Sequence, residues 1–176
     1  LNTNKEIKNK NITRGLIPLK SIVACDKIED GIGYIKISTF SNNTDLELKD
    51  ALLSLNLKKI KGIILDLRFN GGGYLHQAIN VADEFLPKNK LIVYTKGAHT
   101  KKQTYYSKKN GLYEKGKLII LVNSGTASAS EIVSGAIQDH KRGIIIGRRT
   151  FGKGLVQQPV LLPDSSELRI TTSRYY

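Results

Sequence analysis

Gly62-Ile-Ile-Leu-Asp-Leu-Arg-Phe-Asn-Gly-Gly-Gly73 decides the fold. Its first half is a short continuous apolar run, the pattern of a strand covered on both faces. Its second half, Asn70-Gly-Gly-Gly73, reads as a turn between regular elements. Beyond it, Leu75, Ala78, Ile79, Ala82 and Phe85 fall on one helical face until Pro87 stops the pattern. Strand, glycine turn and amphipathic helix make one βα unit.

The same alternation extends in both directions. Upstream, Ile17-Pro-Leu19 and Ser21-Ile-Val-Ala24 read as a short edge strand, and Glu29-Asp-Gly-Ile-Gly33 as a turn into the strand Tyr34-Ile-Lys-Ile-Ser38. Thr44-Asp-Leu-Glu47 has the capping-box pattern, opening a helix that turns Leu48, Ala51, Leu52 and Leu55 inward. Downstream, Leu91–Tyr94 and Lys117–Val122 are strands separated by a basic, tyrosine-bearing segment, Thr95–Gly116, with the character of an extended loop or hairpin. A third helix carries Ala129, Ile132, Val133, Ala136 and Ile137 inward. The strand Gly143–Gly147 follows, then the strands Val156–Leu162 and Glu167–Thr172, joined by Pro163-Asp-Ser-Ser166. This order predicts an α/β domain with helices packed on a mainly parallel sheet.

The 176 residues fit one domain or a large piece of one, with 40% hydrophobic content for its core. No apolar run approaches the roughly 18–20 residues of a membrane span. The start, Leu1-Asn-Thr-Asn-Lys-Glu6, shows no signal peptide. The net charge is +13, but the lysines are scattered over turns and polar faces, so no nucleic-acid partner is expected. Cys25, the single cysteine, reads as a buried structural thiol. His76, His99 and His140 share no metal-binding spacing, and neither a metal nor an organic cofactor is expected. His76 is a possible lining residue of a pocket, and His140 lies just past the third helix, where a C-terminal contact is the default.

The chemistry concentrates in Asn123-Ser-Gly-Thr-Ala-Ser-Ala-Ser-Glu131 and Thr150-Phe-Gly-Lys-Gly154. Ser128 opens a helix just after a strand, beside free backbone N–H groups and the positive end of the helix dipole. Such groups suit a tetrahedral oxyanion. Ser128-Ala-Ser-Glu131 equally fits a capping box, and spacing alone does not choose among Thr126, Ser128 and Ser130 as a nucleophile. Asn70-Gly-Gly-Gly73 lacks the ending of a phosphate-binding P-loop but can bring backbone N–H groups close to an anion. Lys153 lies far outside the Ser-x-x-Lys spacing of enzymes whose serine and lysine share a helix turn, so any pairing with Ser128 is made by the fold. A lysine acting as general base must be neutral.

Gly33-Tyr-Ile-Lys-Ile37, Asp66-Leu-Arg-Phe-Asn-Gly-Gly-Gly73, Gly125-Thr-Ala-Ser-Ala-Ser-Glu-Ile132 and Thr150-Phe-Gly-Lys-Gly-Leu-Val-Gln157 occur in that order. Together they closely resemble the carboxy-terminal processing (tail-specific) serine proteases, from about Thr13 to the last residue. The resemblance implies a fold like the Clp protease and crotonase superhelix of strand–helix units. It implies a serine–lysine dyad in which Ser128 is nucleophile, Lys153 general base and Gln157 the residue orienting the lysine. It further implies an oxyanion hole from the backbone N–H of Ala129 and of Gly72 or Gly73. Gly71 stands where the family commonly has proline, and Tyr74 where an aliphatic residue is usual. Residues 1–12 are then expected to be a linker or tail after a PDZ-like region, and residues 13–176 a catalytic core that continues in longer members. The expected activity is endopeptidase cleavage of proteins near their C-termini, at an exported, periplasmic or cell-envelope site in a bacterium. The alternative is a peptide-binding module of the same fold without catalysis.

Overall fold

The computed structural model describes residues 15, 19–28 and 31–176. The expected linker over residues 1–12, residues 17 and 18 of the expected first strand, and positions 29–30 of the expected turn lie outside the described residues.

The described residues build two sheets. In the first, β1 (Ile22–Ile28), β2 (Ile32–Ile37), β3 (Gly62–Asp66), β6 (Lys117–Val122) and β7 (Ile144–Gly147) lie side by side in that order. β1 is antiparallel to β2, and the remaining three pairings are parallel, as the alternation of strands and helices predicted. Between these strands run α1 (Thr44–Ser54), α2 (Leu75–Asp83) and α3 (Ala129–Asp139). The second sheet is antiparallel throughout, with β5 (Gln103–Tyr106), β4 (Leu91–Lys96), β9 (Glu167–Tyr175) and β8 (Leu155–Leu161) in that order. β4 thus belongs to the second sheet and not to the parallel one, and the basic segment after it folds back as β5.

The three helices share a single core with the first sheet. Leu48 and Leu52 of α1, Ala78, Val81 and Ala82 of α2, and Val133 and Ile137 of α3 pack with Ile35, Ile63, Leu65 and Ile120 of the strands. At roughly 25 cal/mol per Å² of apolar surface removed from water, this burial is the main favourable contribution to the fold. The inward faces read from helical spacing are buried in α1 and α3; in α2 Ala78 and Ala82 are buried, as is Phe85 just past its end, but Leu75 and Ile79 are half-buried and Val81 is buried instead.

The continuous apolar strands led to an expectation of cover on both sheet faces, and the described residues cover one. Tyr34, Ile64, Ile119 and Ile144 stand in one row across the far face, and Leu121 and Ile146 in the next. Ile144 is 63% exposed and Ile146 48%. Two local expectations also change. Glu47 does not close a capping box on α1, because its carboxylate instead accepts from the N–H groups of Ser21 and Ile22 (2.8 and 2.9 Å), pinning β1 to the helix. Cys25 is half-buried rather than buried, its thiol 3.5 Å from the Ala51 carbonyl oxygen on α1.

Asp66 fixes the exit of β3 toward the glycine loop. Its fully buried carboxylate accepts from Arg68 N (2.9 Å), Nε (3.0 Å) and Nη2 (2.7 Å), and from the Tyr34 hydroxyl (2.7 Å). Burial alone pushes this carboxyl up. The hydrogen bonds from Arg68 and Tyr34 outweigh it and hold the carboxyl down at about 2, below its ordinary 3.8. A depressed folded-state value makes this a stabilising contribution above the unfolded value, lost as pH falls toward the folded one. Asp66→Asn should therefore lower stability by about 1–2 kcal/mol at pH 7, allowing for solvent screening around the half-exposed Arg68. The deficit should shrink between pH 3.8 and about 2, which urea melts of both proteins across that range would measure.

Candidate active site

The site lies where β3 and β6 deliver two turns against each other. After β6, the Asn123 side-chain oxygen accepts from Phe69 N (2.9 Å) and Gly125 N (3.0 Å), and the Thr126 hydroxyl donates to the Leu67 carbonyl (2.8 Å). The Asn70 carbonyl accepts from Ala127 N and from the Ser130 hydroxyl, both at 3.0 Å. The serine turn and the glycine loop are thus sewn together, and Asn70 between them is wholly buried.

These bonds separate the three hydroxyls that spacing left equivalent. Thr126 and Ser130 are fully buried, and each gives its hydrogen to a backbone carbonyl. Ser128 instead lines two cavities. It occupies the N-cap position of α3 with φ 56° and ψ −115°, a backbone setting that L-residues rarely adopt. Such a strained strand-to-helix turn is the setting of nucleophile elbows, and Glu131 closes the capping box back onto the Ser128 N–H.

Ala129 follows at the first turn of α3, where N–H groups have no partner within the helix. The glycine loop lies against it: a Cβ at Gly72 would fall 2.8 Å from Ser128 Cβ and 3.0 Å from Ala129 N. Only glycine fits there, and its φ of +103° demands glycine as well. The sequence proposed Gly72 or Gly73 as oxyanion donor. The Gly72 N–H is committed to the Asn70 side-chain oxygen at 2.9 Å, which removes it. Gly73 pairs with Phe40 through the Gly72 carbonyl and the Tyr74 N–H, so the alternation of strand backbone turns its own N–H the other way. Gly73 also lines the second cavity with Ser128. Gly71 is open on all sides, so packing does not require glycine at that position.

The lysine loop is held by Glu131, which sequence reading treated only as a capping residue. One carboxylate accepts four hydrogen bonds: Ser128 N (2.8 Å), Lys153 N (2.9 Å), Gly152 N (2.6 Å) and the Thr150 hydroxyl (2.7 Å). The signal was present in the sequence as Glu131 and Thr150, but the distance between them hid it. Lys153 Nζ donates to Gln157 Oε1 at 3.1 Å. Lys153 and Ser128 line the same two cavities, with no hydrogen bond between their side chains among the described residues.

Tyr175 also escaped the sequence reading, because it stands at the end of a strand from the other sheet. It lines both cavities beside Ser128 and Lys153. Burial pushes its phenol up, and the neighbouring Ser128 hydroxyl pulls it partly back. The cavity on the α3 side holds about 500 Å³ between that helix and β4. The second, about 620 Å³, lies between the glycine loop and the β8–β9 ribbon. His76, singled out in the sequence as a possible lining residue, lines the second with its ring 5.5 Å from that of Tyr74. His140 caps α3, with Nε2 2.7 Å from the Leu91 carbonyl oxygen, and lines the first cavity.

Residues 31–176 match the model of peptidase family S41. Over 170 residues the chain is 42% identical to the carboxy-terminal-processing protease of Bartonella bacilliformis, covering 94% of this chain and 38% of that protein. It is 38% identical to the carboxy-terminal processing protease CtpA of Bacillus subtilis, covering 94% of this chain and 35% of the relative. The solved photosystem II D1 C-terminal processing protease superposes with a TM-score of 0.77 at 34% identity, covering 93% of this chain and 45% of that one. The chain therefore spans less than half the length of these relatives.

Glu131→Gln places an amide donor where the carboxylate met only donors. It should lower stability by about 2 kcal/mol, the scale of a lost hydrogen bond to a charged group. Hydrogen exchange should quicken more at the Gly152 and Lys153 amides than at Ala136 and Ile137 inside α3, which only the loss of global stability reaches.

Proposed function

The chain belongs to peptidase family S41, and from that membership we propose that it forms the catalytic core of a serine endopeptidase with a Ser128–Lys153 dyad. The observation carrying this reading is that Ser128, on its strained turn, shares both cavities with a lysine whose Nζ is held by Gln157.

Lys153 takes the proton from Ser128 Oγ as the oxygen attacks the scissile carbonyl. To do so its side chain swings from Gln157 toward the serine, since catalytic contacts are often loose before substrate binds. The N–H groups of Ala129 and Gly73 hold the negative charge on the tetrahedral intermediate. Protonated Lys153 gives its proton to the departing amine, leaving an acyl group on Ser128. Lys153 then takes a proton from water as its oxygen attacks the acyl carbon, and passes that proton to Ser128 Oγ as the Oγ–acyl bond breaks and the acid product leaves. Gln157 holds Nζ at the edge of the site before substrate binds, ready for that swing.

The substrates on this reading are proteins cut near their C-termini, the action named in the related proteases. An exported setting in a bacterium, periplasm or cell envelope, is part of the same proposal. No helix among the described residues is long and apolar enough to cross a membrane.

In the protein carrying this chain, Ser128→Ala and Lys153→Ala should each lower kcat/KM for peptide cleavage by about a thousandfold or more, with thermal midpoints unchanged. Gln157→Ala should cause a smaller loss. A fluorophosphonate should label Ser128 in the wild type. Cleavage retained by Ser128→Ala would sink the assignment, and peptide binding without labelling or cleavage would leave a binding module of this fold.

A further inference from the structure

Gly135 sits in the middle of α3 with no backbone reason to be glycine. Its φ is not positive, and an added Cβ there would meet nothing within 4 Å. Glycine is a poorer helix former than alanine at such a position, so neither local conformation nor packing accounts for it. What Gly135 does is line the α3-side cavity.

That cavity runs along one stripe of the helix. Ser128, Ile132, Gly135 and Asp139 recur at helical spacing and all line it, with Val93 and Tyr94 of β4 among the residues opposite. Gly135 lies two turns from Ser128, about 10 Å along the helix axis. The Glu131 carboxylate at the near end is occupied by four donors. The second cavity differs in character, carrying Glu167, Arg169, Gln158 and His76.

We propose that the α3-side cavity is the subsite for a long apolar substrate side chain flanking the scissile bond, and that Gly135 sets how far that side chain reaches. The assignment rests on the serine peptidase reading. An alanine side chain ends far short of Gly135. A phenylalanine side chain extends from a carbonyl at Ser128 toward the glycine and fills the apolar stripe between them. A side chain at position 135 would grow from the helix into the same space.

The test uses the protein carrying this chain and two peptide series identical except for alanine or phenylalanine at each position flanking the cleaved bond, with cut sites mapped by mass spectrometry. The wild type should favour phenylalanine at one flanking position by at least about tenfold in kcat/KM, the scale of filling an apolar pocket. Gly135→Leu should lose most of that preference, its kcat/KM falling at least about fivefold further on the phenylalanine peptide than on the alanine peptide. Gly135→Ala, which strengthens the helix, should fall between them and guards against a folding defect in the larger variant. Equal effects on both peptides, or an unchanged preference in Gly135→Leu, would overturn the subsite while leaving the peptidase reading intact. If the wild type neither cleaves any peptide nor takes a fluorophosphonate at Ser128, the peptidase reading fails, and the subsite with it.

Discussion

The Glu131 carboxylate is the constraint on which the site depends. Its two oxygens hold the backbone of Ser128 on one side and the Thr150–Lys153 loop on the other. These bonds join the start of α3 to a segment that follows β7, so the serine and the lysine share one anchor. Charge-assisted hydrogen bonds are shorter and stronger than neutral ones, and four on one carboxylate give a rigid junction. Neither side can move far without disturbing the other. Asn70 does the equivalent work for the glycine loop, its side chain bridging the Ile37 carbonyl and the Gly72 N–H.

Much of this was legible in the sequence because it is local. The βα units follow from helical spacing and apolar runs, and the inward faces of α1 and α3 are the buried ones. Ser128 was visible as a helix-opening serine, yet its neighbours were equally eligible. The structure separates them through Leu67 and Asn70, partners 59 and 60 residues away, which no local pattern carries. Glu47 shows the reverse error: a good local motif lost to a tertiary demand, because the unpaired N–H groups of Ser21 and Ile22 needed an acceptor. The loss of Gly72 as a donor was likewise invisible, since it depends on which way a side-chain amide turns.

The basic composition is handled by dispersal and by a few structural pairings. Lys109 and Lys49 approach the buried carboxylate of Glu84, tying the segment after β5 to the end of α2. Lys102 lies over the Tyr94 ring at 4.0 Å, and Tyr94 stacks on Tyr176 at 4.9 Å. Part of the charge that composition alone would assign to a partner is engaged inside the molecule.

The attachment of β8 and β9 has a mechanical consequence. β9 meets β4 only near its end, through Thr95–Tyr175 and Lys96–Arg174, with Tyr94 and Tyr176 exchanging two more backbone hydrogen bonds just beyond; among the described residues most of the ribbon is exposed. A two-stranded ribbon with little behind it is among the softer parts of a fold. Lys153 and Gln157 sit at its root, where the ribbon leaves the body. Gln157 is thus carried by the base of the ribbon, while the backbones of Lys153 and Ser128 are carried by the Glu131 clamp, so the one contact between Gln157 and Lys153 spans the joint between a soft element and a stiff one.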